Sequence, residues 1–378
     1  MNRRNFLKLA GGGVVFAAGG AAVFSATATP RKALAPWENA GSYSDPRMHA
    51  LSYAILAPNP HNRQPWIVSL EGEDELTLYF DTDKQLPHTD PFDRQLTIGL
   101  GCFLELMRMA AEARGYQVRT KLFPEGSDTE QLDTRPVATA FFTKADTKAD
   151  PLWAHVMQRR SNKEPFDTSK TLNPAALERI LSSARIATLG GSIRADDIAS
   201  WRALTTEALR LEIETPRTYK ESVDLFRIGK AEVNANPDGI DFSGPLFEAM
   251  ATAGIMTRDA SLDRSSTTYR EGLKAVLANT ETAMGHLWLV TPGNTRDEQI
   301  ATGADWLRVN LACTAEGLGF QPLSQALQEY PEMDEIYRQT HARLAPNGGT
   351  VQMLARIGYG PDIAPSPRWP IESKIGAV

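Results

Sequence analysis

The sequence predicts an α+β fold made of two tandem halves that pack together as an intramolecular pseudo-dimer. Apolar residues recur at helical spacing in several long segments, strand-like runs lie between these segments, and one short pattern occurs twice. The pattern is Ala-Glu-x-x-Gly-aromatic-Gln, found in AAEARGYQ (110–117) and TAEGLGFQ (314–321). It indicates a duplication, although a helix-ending glycine followed by an aromatic residue is also common without one.

The first half is predicted to span residues 45–150. Residues 29–44 are rich in Pro, Ala and Ser and are expected to be a linker, and residues 45–56 read as a helix. Strand-like runs at 66–70 and 75–81 flank the turn EGED and predict a hairpin. We expect the next helix to begin at Thr89-Asp90-Pro91 and to end at Gly115. Strands are also expected at 116–123 and 137–142, and this half is predicted to have a central sheet flanked by helices.

The second half is predicted to span residues 151–378. Helical periodicity indicates helices at about 151–158, 173–183, 198–212, 216–229, 266–280, 297–317 and 333–343. Strands are expected at 284–290 and 352–358, before a proline-rich tail. Residues 230–265 have a mixed composition that fits neither element type.

Composition and motifs exclude several classes of function. The chain has 378 residues with a net charge of −6 and no long basic run, so binding of nucleic acid through charge is not expected. There is no G-x-S-x-G, HExxH or P-loop motif. The six histidines lack ligand spacing, so no metal site is predicted. Cys102 and Cys313 lie in apolar helical sequence and are expected to be buried small hydrophobes.

The N-terminus predicts export. Arg3-Arg4 and Asn5-Phe6-Leu7-Lys8 form a basic head, a Gly/Ala-rich apolar stretch follows, and Ala26-Thr27-Ala28 is a small-x-small cleavage site. The pattern resembles a twin-arginine signal peptide over residues 1–28, which implies export of an already folded protein to the periplasm. No other segment is long and apolar enough to span a membrane, so no membrane association is expected after the signal is removed.

Three further segments carry groups suited to an anionic, planar ligand. Arg159, Ser161 and Lys163 place cations and a hydroxyl within five residues, which suits a phosphate but also describes a solvated basic patch. Arg368 lies on a stiff Pro-x-Pro-Arg-x-Pro support, or simply in a tail pinned to the surface. Glu316-Gly317 ends a helix where glycine permits close approach to a ring, or is a plain cap.

Together with the stretch APNPHNRQPW (57–66), these segments resemble the nitroreductase family of FMN-binding flavoproteins over most of residues 45–373. The resemblance implies a nitroreductase-like fold and an FMN held between two subunits or two halves. Arg159, Ser161, Lys163 and Arg368 would meet the phosphate and the flavin edge, and Glu316 and Gly317 would lie near the reactive ring. The residues that would line the flavin from the other side are Pro58, Asn59, Pro60 and Asn62, with Gln64 there or bracing the turn.

The order of these motifs departs from the family pattern. A standard member has Arg-x-Ser-x-Lys before Asn-x-Gln-Pro-Trp, whereas here Asn62–Trp66 precedes Arg159–Lys163. The chain is therefore similar to the fused, single-chain subgroup, with one complete site retained and residues 230–265, including Met250 and Met256, as a candidate lid. A monomer is expected, because the fusion supplies both sides of the site.

The resemblance implies an FMN-dependent oxidoreductase that reduces a small substrate, such as a nitroaromatic compound or a quinone, by two electrons. Flavin supplies that chemistry, so no catalytic side chain is named. Free NAD(P)H is not expected outside the cytoplasm, so another reductant or a protein partner is the expected electron donor. Storage of FMN without turnover is the competing interpretation, and an exported scaffold without flavin is the third.

Overall fold

The computed structural model describes residues 28–376. In the first half, two short helices precede a hairpin, and a long helix leads to two further strands. The bounds are α1 Arg31–Glu38, α2 Pro46–Ala54, β1 Trp66–Glu71, β2 Glu75–Phe80, α3 Arg94–Ala113, β3 Tyr116–Leu122 and β4 Pro136–Lys144. Short 3-10 turns at Pro60–Asn62, Thr82–Lys84 and Pro151–His155 connect these elements and lead out of the half.

The second half has the same framework with a large insertion. Its framework consists of α4 Pro174–Leu181, β5 Thr188–Ser192, β8 Gly285–Thr291, α11 Arg296–Ala315, β9 Gly319–Pro322, α12 Asp334–Leu344 and β10 Thr350–Gly358. Residues 193–284, here called the insertion, lie between β5 and β8. They contain α5 Ala195–Glu214, α6 Pro216–Asp224, β6 Phe226–Ile228, α7 Gly229–Ala235, β7 Ile240–Phe242, α8 Pro245–Thr252, α9 Arg258–Leu262 and α10 Thr267–Thr280.

The two large sheets have the same topology. Their strand orders are β1-β2-β4-β3 and β5-β8-β10-β9, and every neighbouring pair in both sheets is antiparallel. In each half a long helix leads from the second strand to the third. The prediction of an α+β fold with two tandem halves is confirmed by this correspondence.

The two long helices pack against each other through reciprocal glycines. Helices α3 and α11 both have 20 residues and begin 202 positions apart in the sequence. A Cβ on Gly101 would lie 2.2 Å from the carbonyl oxygen of Ile300, and a Cβ on Gly303 would lie 2.1 Å from that of Ile98. Because both contacts follow the same 202-residue offset, the helices cross near a pseudo-twofold axis, and only glycine permits this approach.

Three apolar clusters hold these elements together. The largest takes side chains from both halves, including Leu76 and Phe103 from the first and Leu289 and Trp306 from the second. A second cluster lies between α5, α12 and the second sheet, and a third lies within the insertion. The C-terminal tail returns to the first half, where Ile375 forms a parallel bridge with Val68 of β1. Each half therefore completes the other.

Several local predictions differ from the structure, and one of them is the helix expected at 216–229, which ends at Asp224 and is followed by strand β6. The expected linker contains α1, because Ala33 and Trp37 are buried against distant partners, among them the carbonyl of Ser366, which accepts a hydrogen bond from the Trp37 indole. Helix α3 begins at Arg94 instead of Thr89, although Asp90 caps it by accepting from the second and third helical N–H groups. Strand β5 was not predicted, because its glycines obscure the strand pattern.

Candidate functional site

The loop between α2 and β1, residues 57–65, is held in a strained conformation. His61, Asn62 and Gln64 have positive φ values of 45°, 52° and 51°. Such conformations cost about 1–3 kcal/mol each for residues other than glycine and persist only where the surroundings impose them. Pro58, Asn59, Pro60, His61 and Asn62 are all partly exposed. The loop therefore presents an open, polar surface.

Gln64 braces this loop from within. Its side chain is fully buried and donates to the carbonyl of Pro237 at 2.7 Å, while its amide oxygen accepts from the backbone N–H of Trp369 at 2.9 Å. Its own N–H donates to the Asn59 side chain, and its carbonyl accepts from Lys374. Gln64 thus ties the loop to the insertion and to the C-terminal tail.

Arg368 lies behind the loop with only 2% of its surface exposed. Its guanidinium donates to the side chains of Asn62 and Ser366 and to the carbonyls of Leu56, Ala57 and Pro367. The buried Nε has no partner among the described protein groups. Burial, together with the nearby guanidinium of Arg159, lowers the pKa of Arg368 well below its ordinary value.

Arg159 and Arg160 lie beside Arg368. Arg159 is 3% exposed and donates to the carbonyl of Leu56 at 2.9 Å, the same oxygen that accepts from Arg368 at 3.1 Å. Burial lowers the pKa of Arg159 to about 10, and the positive charge of Arg160 adds to this effect. Arg160 stacks over the Trp37 ring at 4.9 Å. These three arginines are called the arginine cluster below.

The arginine cluster has no counter-charge within the part of the chain that the structure describes. No carboxylate lies within ion-pairing distance of any of its three members. Concentrated buried cations without an anion are unfavourable unless a ligand compensates them. Arg159 and Arg368 thus lie side by side, and the chemistry of the cluster suits an anionic ligand.

Ser161 and Lys163 follow the first two arginines of the cluster in sequence, on a backbone that Asn162 holds in place. Between them, Asn162 donates its N–H to the carbonyl of Phe320 at 2.7 Å and its side-chain amide to that of Pro361. Ser161 is partly exposed and Lys163 is exposed. Nevertheless, desolvation by the surrounding protein is the largest effect on the pKa of Lys163 and lowers it.

Side chains from three parts of the chain lie near one another around Lys163, and we call the space between them the recess. Lys163 faces His61 of the loop and two carboxylates of the insertion, Glu212 and Asp241. Burial lowers the pKa of His61 to about 4, with the charges of Lys163 and Arg63 adding to the effect, so the imidazole is neutral at pH 7. The recess therefore has a basic wall at Lys163 and an acidic wall from the insertion.

The insertion is attached to the loop through residues 236–239. Gly239 donates its N–H to the carbonyl of Asn62 at 3.2 Å, and the Asp238 carboxylate pairs with Lys84 and Arg227. Part of the candidate lid thus contacts the predicted flavin loop. Met250 and Met256 instead lie buried in the apolar cluster of the insertion.

Glu316 and Gly317 lie in a different environment from the arginine cluster. The Glu316 carboxylate is paired with Arg179 at 2.6 Å and lines a pocket of about 350 Å³. Gly317 has a φ of 68° at the end of α11, which is the geometry of a helix cap. The contacts in the structure do not bring these two residues to the cluster.

This second pocket differs from the arginine cluster in the pairing of its charges. It is lined by residues 182–185, which precede β5 as the loop precedes β1, and by Asp150, which follows β4 as Arg368 follows β10. Asp150 pairs with Arg308 and Arg185, each at 2.7 Å. The cations of the second pocket are therefore neutralised, in contrast to those of the arginine cluster.

Sequence reasoning missed part of the recess. Arg160 and His61 are not among the site residues that the sequence predicts. Glu212 and Asp241 carried no signal, because each is a single acidic residue in a region without a motif. Only the docking of the insertion brings them near Lys163.

Other site types find no support in residues 28–376. These residues contain no group of three or more His, Cys, Asp or Glu side chains arranged to hold a metal. No helix among them is long and apolar enough to cross a membrane. Cys102 and Cys313 are buried and unpaired, and burial raises the pKa of Cys102 to about 12. Residues 1–27, with nearly all of the predicted signal, lie outside the described part.

The geometry brings residues of both halves together around a basic cluster. No family model matches the chain. An uncharacterised protein of Mycobacterium tuberculosis (strain ATCC 25618 / H37Rv) is 25% identical over 340 residues, which cover 86% of this chain and 92% of that protein. A protein of the same strain, named "Putative NAD(P)H nitroreductase acg", is 26% identical over 337 residues, which cover 85% of this chain and 93% of that protein.

A comparison with solved structures found the FMN-dependent nitroreductase NfnB from Mycobacterium smegmatis, solved in complex with NADPH. It has 18% sequence identity and a TM-score of 0.34, and the match covers 59% of this chain and 96% of that chain. The chain is thus similar, along more than four-fifths of its length, to relatives that include a protein named as a nitroreductase.

Proposed function

We propose that this protein is an FMN-binding oxidoreductase of the nitroreductase family, fused into a single-chain pseudo-dimer whose halves span 45–150 and 151–378. The observation that carries the proposal is the arginine cluster: Arg159, Arg160 and Arg368 converge, largely buried, without a carboxylate partner among residues 28–376. The phosphate of FMN is a dianion near neutral pH and would neutralise these charges.

The residues of the recess fit FMN. Arg159, Ser161 and Arg368 would hold the phosphate, with the free Nε of Arg368 as one donor. Lys163 would lie at the flavin edge, and Pro58, Asn59, Pro60 and Asn62 would line the ring from the loop. Gln64 would act by bracing that loop. When bound, FMN supplies two-electron redox chemistry, and the protein supplies orientation and a fixed electrostatic environment. Glu316 and Gly317 remain part of the proposal only through the family resemblance.

One FMN per chain follows from the asymmetry of the two pockets. In the second pocket Asp150 pairs with both Arg185 and Arg308, whereas the arginine cluster has no carboxylate partner among the described residues. A phosphate there would have to displace a carboxylate that already neutralises both cations. The chain therefore carries one complete site and acts as a monomer.

The proposed substrate is a small nitroaromatic compound or quinone, reduced by two electrons. We place the mature protein in the periplasm, exported through the twin-arginine pathway by residues 1–28. The electron donor is then a protein or a small reductant other than free NAD(P)H. The name of the mycobacterial relative supports the class of reaction.

Storage of FMN without turnover is the second candidate. The observation that favours it is the attachment of the insertion to the loop, through Gly239 to Asn62 and Pro237 to Gln64. An insertion fixed in this way would limit access to the flavin. Enzyme and storage protein differ in whether bound FMN is reduced and reoxidised at a useful rate.

Anaerobic stopped-flow spectroscopy of the purified holoprotein tests the proposal. The flavin absorbance is followed after mixing with reductants of different charge and size, and then after mixing with a quinone or a nitroaromatic compound. If the protein is an enzyme, at least one donor should bleach the flavin absorbance, and the acceptor should restore it. FMN that remains oxidised with every donor, including small ones, would favour storage and refute turnover.

A further inference from the structure

A buried polar cluster lies where the insertion meets the segment after β9. Its members are Glu212 at the end of α5, Thr218 and Ser222 on α6, and Gln328 and Tyr330 after β9. All five are buried, with exposed fractions of 6% or less. We call these residues the relay cluster. None of them belongs to the arginine cluster or to the predicted flavin contacts.

Glu212 is the ionisable centre of the relay cluster. Its carboxylate accepts a hydrogen bond from the Gln328 amide at 2.6 Å, and no ion pair to it occurs among the described residues. Burial raises the pKa of Glu212 to about 7, and Glu221 adds to this effect. The amides of Gln328 and Gln325 and the charge of Lys163 act in the opposite direction. A buried carboxyl with neutral hydrogen-bond partners is stable in its protonated form.

The relay cluster reaches the recess through Lys163. The charges of Glu212 and Asp241 both favour the protonated form of Lys163, although desolvation has the larger effect on its pKa. A change of charge inside the recess therefore acts directly on Glu212. Because the group lies in a low-dielectric environment, this coupling is stronger than it would be in water.

The other end of the relay cluster lies near the surface. The Arg217 guanidinium lies over the Tyr330 ring at 5.5 Å from its centroid and pairs with the partly exposed Glu332. The hydroxyl oxygens of Tyr330 and Ser222 and the amide oxygen of Gln328 are buried without a hydrogen-bond partner among the described groups. Thr218 lies beside Tyr330 but donates its own proton to the carbonyl of Glu212 at 2.6 Å.

Three unpartnered polar atoms in one buried region are unusual. Buried polar groups almost always find a partner, and a roomy polar site satisfies them with ordered water. Water molecules between Glu212, Tyr330 and Ser222 would satisfy all three atoms and form a continuous chain of exchangeable protons towards the surface.

We infer that Glu212 is the proton-exchanging group of the recess and that the relay cluster connects it to solvent at Tyr330. The inference rests on the proposed function, because the charge change that drives exchange is the reduction of bound FMN. When two electrons enter the recess, the added negative charge favours protonation of Glu212. The proton comes from solvent through the relay cluster, and Glu212 returns it to solvent by the same route when the electrons leave with the substrate.

Infrared titration tests Glu212 independently of flavin. The C=O stretch of protonated carboxyls is recorded as pH is raised through 7 for the wild type, Glu212→Gln and the control Glu207→Gln. Glu207 lies on the same helix and is 64% exposed. Asp90, with a pKa raised to about 6 by burial, contributes to the same spectral region, so the difference between variants isolates Glu212. We expect a band that disappears with a midpoint near 7 and is missing only in Glu212→Gln.

Proton uptake tests the connection to the recess. Bound FMN is reduced anaerobically by light with EDTA as the electron donor, and a pH indicator dye counts the protons taken up. At pH 7 we expect Glu212→Gln to take up less than the wild type by as much as about half a proton per chain, because a group with a pKa near 7 is half protonated there. Glu207→Gln should match the wild type, and Tyr330→Phe should reach the same uptake severalfold more slowly.

The outcomes separate the two proposals. An infrared band that survives in Glu212→Gln, or a Glu212 midpoint near 4.5, overturns the inference whether or not flavin is bound. Equal proton uptake in Glu212→Gln and the wild type also overturns it. A protein that takes up no FMN while the infrared band behaves as expected would instead refute the proposed function.

Discussion

Replacing Arg159 with methionine should change the free protein and the complex in opposite directions. Arg159 is buried without an ion-pair partner among the described residues, and burial lowers its pKa from the ordinary value to about 10. At 1.36 kcal/mol per pKa unit, this corresponds to about 3 kcal/mol of unfavourable free energy for the charged group in the fold at pH 7. The carbonyl of Leu56 keeps Arg368 as a donor. Arg159→Met should therefore leave the flavin-free protein as stable as the wild type, or up to about 3 kcal/mol more stable.

The complex should be weakened by the same substitution. A charge-assisted hydrogen bond contributes about 1.5–3 kcal/mol, so the dissociation constant for FMN should rise by about 10- to 150-fold. At an FMN concentration 100 times the wild-type Kd, ligand stabilisation of the wild type is about 2.7 kcal/mol. In Arg159→Met it should fall to between about 0.3 and 1.4 kcal/mol at the same FMN concentration.

Chemical denaturation with and without FMN measures both effects. Arg119→Met is the matched control, because Arg119 lies exposed on β3, over the Phe141 ring, away from the cluster. It should change neither FMN affinity nor ligand stabilisation. If Arg159→Met binds FMN with wild-type affinity, or if the flavin-free variant is strongly destabilised, then Arg159 is a structural residue and the anion site has been misassigned.

Three further predictions concern the insertion, the interface of the halves and export. Asp238→Asn should destabilise the protein by about 3 kcal/mol and speed FMN dissociation, because it leaves Lys84 and Arg227 without their buried partner. Burial raises the pKa of Asp238, but the charges of Lys84 and Arg227 outweigh this effect and hold the pKa below its ordinary value. The Asp238 carboxylate therefore stabilises the folded protein above about pH 4, and this stabilisation is lost as pH falls through the folded pKa. Denaturation as a function of pH should show this loss in the wild type and not in Asp238→Asn. Gly303→Ala should destabilise by about 3 kcal/mol, because its Cβ would meet the Ile98 carbonyl at 2.1 Å, whereas Gly272→Ala on α10, with open space around it, should be neutral or stabilising in the same urea titration. In a fusion of residues 1–44 to a folded reporter, replacing Arg3 and Arg4 with lysine should retain the reporter in the cytoplasm, while Arg31→Lys should not, as fractionation would show.

The regular part of the fold was predictable from local sequence. The long helices, the first hairpin and the last strand all have clear periodicity, and their positions agree with the structure to within a few residues. Other elements depend on distant partners. Helix α1 forms where Ala33 and Trp37 meet the C-terminal tail, more than 300 residues away, and no local pattern announces that contact.

Strand β5 shows how packing can override propensity. Its sequence, TLGGS, is a poor strand by composition. A Cβ on Gly190 would lie 2.3 Å from the Trp288 indole nitrogen, and one on Gly191 would lie 2.6 Å from a Leu287 methyl group. The glycines are therefore required by large side chains on the neighbouring strand, which only the tertiary structure identifies.

The repeated sequence pattern indicates the duplication, but the offset between its two copies differs from the offset between the equivalent helices. The two copies of Ala-Glu-x-x-Gly-aromatic-Gln are 204 positions apart, whereas α3 and α11 correspond at an offset of 202. Their structurally equivalent glycines are Gly115 and Gly317, both with positive φ at the end of the helix. The sequence pattern therefore predicts the two halves correctly. It also aligns Glu112 with Glu316, and these two residues are not equivalent in the structure.

Part of the candidate site also followed from sequence. The loop stretch and the arginines were identifiable because their residue types are concentrated and resemble a known family. The acidic wall of the recess was not, because Glu212 and Asp241 reach Lys163 only through the docking of the insertion. That docking depends on single contacts such as Asp238 to Lys84, between residues 154 positions apart.

The number of FMN molecules bound per chain tests the account most directly. The protein is unfolded, refolded with excess FMN and desalted, and the ratio of flavin absorbance to protein concentration is measured. A ratio of one is expected, because the arginine cluster has no carboxylate partner within residues 28–376 and the cations of the second pocket are already paired. A colourless protein would contradict the claim that the recess binds FMN, and a ratio of two would contradict the claim that only one of the two pockets is a flavin site.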